Sequence, residues 1–214
     1  MRQFTNKMLV SLTLFSFHFI FAQDEDPCAC EPKVGSVRPY RIEAKWDTAF
    51  SQYALSKRVI KSYNVRRWEK KYANLAGGST VSWNTKRLAN IPEDSLYTLE
   101  GYLWFVKAEV DCDYHIQIGP RSKTSMRAVV EVTIKNCDLQ KEIRDTLRAR
   151  GYAGSLETGI ELNKGIPVTV VGLGFYDWQH HFKTPPADTP GDSPLRKQSG
   201  TAWEIHPVQS IKFR

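Results

Sequence analysis

The sequence predicts a mostly β fold: a five-stranded barrel in the order strand, strand, strand, helix, strand, strand, behind an N-terminal extension. Three observations carry this. From Ser95 onward, short runs of alternating apolar and polar residues recur between turn signals. One helix-period stripe interrupts them after the third run. Aromatic residues make up 12% of the chain and include six Trp, which suits a packed β core. That element order matches the OB-fold, a Greek-key barrel whose ligand face is flanked by the loops joining strands one to two and four to five. A sandwich with one appended helix is the main alternative.

Each element has its own signature. Tyr97 to Glu109 is rich in β-formers and carries Gly101, a mark of a bulge or bend. Tyr114, Ile116 and Ile118 fall on one face of a second strand. In the third, Met126 to Ile134, the residues Met126, Ala128, Val130 and Val132 share a face. Leu139, Ile143 and Leu147 then fall at helical spacing, with Asp138 as candidate N-cap and Gly151 where a C-terminal stop belongs. Ile166 to Phe175 is a fourth strand, bent by Gly172 and Gly174. A long proline-containing loop leads to the last strand, Ala202 to Phe213.

The chain of 214 residues is long enough for one domain with an extension. Its composition excludes a collagen, a coiled-coil rod and a wholly disordered protein. Residues 1–22 read as a signal peptide: Arg2 and Lys7 precede the apolar run Met8 to Ala22, which ends abruptly at Gln23-Asp24-Glu25-Asp26. The run is shorter than a membrane span and lacks a basic far flank. Cleavage after Ala22 removes two cations from a formal charge of +7 and leaves +5. The mature chain has no further membrane-spanning run, so a secreted or periplasmic location is expected. Residues 23–45 read as a linker or extended arm, 46–95 as a basic, partly helical extension, and 96–214 as the barrel.

All four cysteines lie beyond the cleavage point, so structural disulfides are expected. Cys112 and Cys137 are candidates to close a loop in the C-terminal half. Cys28-Ala29-Cys30 lies in what reads as a flexible stretch. Spacing leaves the connectivity open.

The four histidines that survive cleavage concentrate in three motifs: Glu109-Val110-Asp111-Cys112-Asp113-Tyr114-His115, Asp177-Trp178-Gln179-His180-His181 and Glu204-Ile205-His206-Pro207. On an OB-like barrel these fall on the two ligand-face loops and the last strand, where Glu204 and His206 share a face. Glu131 on the third strand is placed to join them. Singly, each motif also reads as a solvated turn or a half-buried strand residue. Together they suggest a shared site, because so many carboxylates and imidazoles on one face need a cation or internal pairing. The candidate catalytic residues are His115, Asp177, His180, Glu204 and His206; the same five with Asp113 and Glu131 are the candidate metal ligands. Imidazole nitrogen with carboxylate oxygen suits Zn²⁺, Mn²⁺ or Mg²⁺. There is no HExxH, paired CxxC, G-x-S-x-G or P-loop motif.

Between Lys57 and Lys71 stand seven Lys/Arg and one Glu, interleaved with Tyr63 and Trp68 and flanked by Tyr53 and Tyr72. Cations beside aromatics is the composition of a single-strand nucleic-acid surface. Arg66, Arg67, Lys70 and Lys71 are the candidate polyanion contacts. The plainer reading is a solvated basic helix whose aromatics pack onto the barrel.

The three motifs also resemble those of a group of secreted, mostly uncharacterised bacterial proteins with an OB-like domain. That group carries Glu-x-Asp-Gly-Asp-x-His, Gly-x-Gly-Phe-Phe-Asp-x-x-His and Glu-Leu-His-Pro-Val. The matching residues are Glu109, Asp111, Asp113 and His115; Gly172, Gly174, Phe175, Asp177 and His180; and Glu204, His206, Pro207 and Val208. The resemblance spans roughly residues 97–213 and implies that these positions belong together; it brings no established activity. The chain departs from it at Cys112, where the group has Gly, and a Cys there invites pairing with Cys137.

The leading expectation is a secreted metal-dependent hydrolase acting on phosphodiesters, nuclease-like, with the basic segment holding a phosphate backbone. The competing class is a non-catalytic OB-type module that binds nucleic acid, oligosaccharide or a protein partner. A third is a calcium-stabilised structural domain whose carboxylates only tie loops together.

Overall fold

In the computed structural model, which describes residues 26–32, 60–72, 93, 95–123, 127–177 and 203–214, the chain forms six strands and two helices. They are β1 (Ile60–Asn64), α1 (Val65–Tyr72), β2 (Leu96–Ala108), β3 (Tyr114–Gly119), β4 (Ala128–Val132), α2 (Cys137–Ala149), β5 (Ile160–Tyr176) and β6 (Trp203–Phe213). The sheet order is β1-β2-β3-β4-β6-β5, and β2 also pairs with β5, so five strands close into an OB-like barrel. β4 and β6 meet in parallel at Val130 and Ile205. Residues 1–22, which the sequence reads as a signal peptide, His180, His181 and the proline-containing loop lie outside the described residues.

β2 holds the barrel together because it is long enough to pair with three strands. β5 runs antiparallel along it, β3 takes its second half from Tyr102, and β1 takes its first half in parallel. Its inward residues are Tyr97, Leu99 and Leu103, then Val106. The switch from odd to even positions marks an irregularity between Leu103 and Phe105, not at Gly101 as the sequence suggests. Gly101 serves close packing instead: a Cβ there would stand 2.5 Å from Ile118 and 2.7 Å from Val65. In β5 the expected bend is present, with register shifts on both sides of Gly172.

α2 buries the predicted stripe of Leu139, Ile143 and Leu147 in the main core. Its N-cap is Asn136 rather than Asp138, which lies in the first turn. Gly151 follows the helix with φ +77°, as a stop residue should.

The described part of the basic extension, residues 60–72, packs on the barrel. β1 extends the edge of the sheet, and α1 sends Val65, Trp68 and Tyr72 into the main core. The Trp68 indole nitrogen donates to the Trp203 carbonyl at 3.4 Å, and the Tyr72 hydroxyl donates to that of Tyr97 at 3.2 Å. Burial pushes the phenol pKa of both tyrosines above the usual value, so both stay neutral well into alkaline conditions.

The cysteine pairing differs from the expected Cys112–Cys137 bridge. Cys28 bonds Cys137 and Cys30 bonds Cys112, so residues 26–32 are fastened to the β2–β3 turn and to the start of α2. The stretch around Cys28-Ala29-Cys30 is therefore anchored rather than free. Asp26 adds an ion pair to Lys141 at 3.2 Å. The bridges are nested, with separations of 109 and 82 residues. With either bridge intact, the other closes an effective loop of about 27 residues, so removing one costs about 3.5 kcal/mol in the chain-entropy model. Two such bonds point to an oxidising environment. Among the described residues no helix is long and apolar enough to cross a membrane.

Candidate metal centre

Alternation along three strands creates the site. In β3, Tyr114, Ile116 and Ile118 enter the core, which turns His115 and Gln117 to the other face. In β4, Val130 and Val132 point inward and Glu131 outward, opposite His115 in register. In β6, Ile205 packs inward, leaving Glu204 and His206 on the opposite face. Asp113 arrives from the β2–β3 turn. That turn is closed by the Glu109 N–H donating to the Asp113 carbonyl at 2.8 Å and the Cys112 N–H donating to the Glu109 carbonyl at 3.0 Å.

Asp113, Glu131 and His206 each offer a ligand atom, and these atoms all lie within 4.8 Å of one another, close enough to hold one metal ion. The His206 Nδ1 stands 2.7 Å from Glu131 Oε2, and its Nε2 stands 3.7 Å from Asp113 Oδ2. Glu204 Oε2 is 3.9 Å from His206 Nδ1. The side chains of His206, Glu204 and Asp113 are at most 1% exposed, and that of Glu131 is 7% exposed.

Several contacts hold the donors. Asp113 Oδ1 accepts the Ile134 N–H at 3.0 Å. His115 Nδ1 lies 3.3 Å from Glu131 Oε1, the oxygen Glu131 does not turn to His206. The Phe175 ring stands 5.3 Å from the His206 ring. The buried Gln140 amide on α2 donates to the carbonyls of Cys112 and Val132, both at 2.8 Å.

Burying carboxylates is expensive unless opposite charge balances them. Three carboxylates meet one imidazole within this group, and His115 touches it from the side. A divalent cation balances two carboxylates and leaves the imidazole neutral, the form that ligates. The donor set of one nitrogen and two or three oxygens suits Zn²⁺ or Mn²⁺.

The sequence-predicted residues are therefore distributed unevenly. Asp113, Glu131, Glu204 and His206 come together, and His115 reaches them through Glu131. Asp177 is buried at the end of β5, outside the three-residue group, beside Tyr176, whose N–H donates to the Glu93 carboxylate at 2.9 Å. His180 lies outside the described residues. Gln140 escapes sequence inspection, although a trace exists: it stands three and seven residues before Ile143 and Leu147, a polar residue on an apolar stripe.

The basic segment divides by face. Arg66, Arg67, Lys70 and Lys71 are exposed, while Trp68 and Tyr72 are buried. Those two rings are thus unavailable for stacking bases, and the arrangement follows the plainer reading of a basic helix whose aromatics pack onto the barrel. Lys71 donates to the Tyr63 hydroxyl at 2.9 Å, and this hydrogen bond raises the lysine pKa above its usual range.

Neither a protein-family model nor a curated protein matches the chain. Among solved structures it is similar to Entamoeba histolytica asparaginyl-tRNA synthetase in complex with asparaginyl-adenylate, at 8% identity and a TM-score of 0.35, over 73% of this chain and 24% of that one. A second structure of Entamoeba histolytica asparaginyl-tRNA synthetase is similar at 10% identity and a TM-score of 0.33, over 61% of this chain and 22% of that one. The chain thus spans about a quarter of the length of these structures, and a likeness at such scores carries no argument about function.

Proposed function

We propose that this is a secreted, metal-dependent hydrolase of the OB-like class, acting on phosphodiesters, with Asp113, Glu131 and His206 as the metal ligands. The observation that carries the reading is the three-donor group with a further carboxylate, Glu204, beside it. Three protein ligands leave a coordination position for water, as catalytic sites do, whereas structural sites fill all four. A divalent ion so held lowers the pKa of a bound water and polarises a phosphoryl oxygen. Glu204, next to the ligands, is the candidate proton acceptor for that water. His115 holds the far oxygen of Glu131 and so orients a ligand. Arg66, Arg67, Lys70 and Lys71 supply an exposed cationic face for a polyanionic substrate. Secretion is supported by the apolar run Met8 to Ala22 and by the two disulfides.

A second reading has its own observation. His206 and Glu204 are fully buried, which suits an ion that ties β3, β4 and β6 together in a non-catalytic binding module. The deciding experiment measures metal content of the purified mature protein, then phosphodiester cleavage with and without chelator. Bound metal with chelator-sensitive cleavage, lost in Glu204→Gln, supports the hydrolase. Bound metal with thermal stabilisation and no cleavage supports the module. Absence of any bound or bindable divalent ion overturns both.

A further inference from the structure

We propose that the Asp113 turn is held in ion-binding geometry by a clamp made of the Cys30–Cys112 disulfide and the Gln140 amide, so that divalent-ion affinity depends on that disulfide being oxidised. The inference rests on the metal reading and adds a control on the same site.

Asp113 directly follows Cys112, whose φ is +68°. Glycine adopts that left-handed conformation freely, whereas a residue with a side chain holds it only when its surroundings fix it. Here the surroundings do so from two directions. The Cys112 side chain is bonded to Cys30, and its carbonyl accepts from Gln140 Nε2 at 2.8 Å. The same Gln140 nitrogen donates to the Val132 carbonyl at 2.8 Å. One buried amide therefore bridges the residue before Asp113 and the residue after Glu131. It sets the spacing of the two carboxylate ligands without touching either. Outer partners of this kind typically change metal affinity 10–100-fold.

The second bridge provides an internal comparison. Cys28–Cys137 anchors the same short arm, yet Cys137 opens α2 and is adjacent in sequence to neither ligand, whereas Cys112 directly precedes Asp113. Its loss removes a cross-link of the same loop length and leaves the Asp113 turn clamped. The redox step is ordinary thiol–disulfide exchange: a dithiol reductant gives two electrons and two protons, the Cys30–Cys112 bond becomes two thiols, and the reductant becomes a disulfide. Cys112 is buried and Cys30 is half-buried, so a reductant approaches the bond from the Cys30 side.

The test titrates Zn²⁺ and Mn²⁺ into the full chain in oxidising buffer, well below the thermal midpoint. It compares wild type, Cys30→Ser/Cys112→Ser, Cys28→Ser/Cys137→Ser and Gln140→Met. The serine pairs avoid new thiols that would themselves bind zinc. Expected are 10–100-fold weaker binding for the Cys30/Cys112 pair and for Gln140→Met, and less than threefold change for the Cys28/Cys137 pair, although both serine pairs melt earlier. Equal affinity in wild type and Gln140→Met overturns the clamp, and this arm stands if the Cys30/Cys112 pair fails to fold. Equal losses for the two serine pairs also overturn it, since they mean general softening. A wild type that binds neither ion overturns the metal reading itself, a result distinct from the other two.

Discussion

Two polar clusters are built into the same barrel wall, and they differ in charge balance. Arg127 is 1% exposed and is matched on several sides: both guanidinium NH groups reach Glu161, at 2.9 and 3.3 Å, Gln117 accepts at 3.1 Å, and the Trp104 ring lies 5.9 Å away. Glu161 also takes the Lys123 ammonium, at 3.5 Å, and keeps 38% of its side chain in water. The Asp113, Glu131, Glu204 and His206 group is as deep, yet its carboxylates outnumber its imidazoles. Burial alone therefore marks no function. Among the described residues the second cluster gathers three carboxylates around one imidazole, and it is this donor set, not burial, that suits a metal ion.

Breaking the Arg127 cluster has a large expected effect. Arg127→Met removes the cation and leaves the buried Gln117 oxygen without that donor, at a cost of about 3 kcal/mol, toward the low end for a buried pair because Glu161 can rehydrate. Chemical denaturation reads the loss, and ion affinity stays as in wild type. A parallel fall in ion affinity would mean that the two clusters form one unit.

The Asp113, Glu131 and His206 group responds in the opposite sense. With free ion at a hundred times its dissociation constant, binding stabilises the wild type by about 2.7 kcal/mol, which chelator removes. His206→Ala abolishes this increment, so chelator leaves the variant's thermal midpoint unchanged. Ile205→Ala, one residue away but facing the core, lowers stability by about 2–5 kcal/mol and keeps the chelator response. A His206 variant that melts early and still binds the ion normally would remove His206 from the ligand set.

How far each region could be read in advance follows from the range of its interactions. Tyr114, Ile116 and Ile118, or Leu139, Ile143 and Leu147, announce their elements because the period is local. Glu204 and His206 share a face for the same reason, so most of the site was legible once a strand order was assumed. β1 was not, because the run IKSYN shows little apolar alternation and gains its place by pairing with β2, more than thirty residues on. Arg127 and Glu161 are separated by 34 residues and carry no local mark of their pairing. Disulfide connectivity is open in the sequence for a related cause. Cys112 and Cys137 are nearer to each other in sequence than to Cys28 or Cys30, yet the folded turn and helix present them to the arm instead.

Alkaline pH sharpens the contrast on the aromatic side of the core. Both Tyr72 and Tyr97 have pKa values raised by burial from a reference of 10.0. Above about pH 10 the unfolded chain loses these protons while the native chain keeps them, so stability is whole below that pH and falls as pH rises beyond it. The slope grows toward about 1.4 kcal/mol per pH unit for a tyrosine that stays protonated in the folded chain, as the unfolded phenol completes its titration. Tyr72→Phe should reduce the slope by one tyrosine's share, as measured by denaturation between pH 9 and 11. An unaltered slope would place the alkaline loss elsewhere.

The exposed face of α1 is where the smallest stability effect and the clearest binding effect are expected. Val65, Trp68 and Tyr72 hold the helix to the barrel, so Arg66, Arg67, Lys70 and Lys71 can be exchanged for Gln without touching that packing. The thermal cost should stay within about 0.5 kcal/mol, the range for surface changes. Lys71 differs from the other three because its ammonium already donates to Tyr63. If the face meets a single-stranded polyanion, each phosphate contact contributes about 0.7 to the slope of log affinity against log salt. The fourfold Gln variant should then lose about 2–3 from that slope, and Lys71→Gln alone should lose the smallest part. The measurement is titration of a short single-stranded oligonucleotide at several salt concentrations. A slope unchanged by all four substitutions would mean that the helix's cations are only a solvated surface, and that any phosphodiester substrate must approach the metal group from another side.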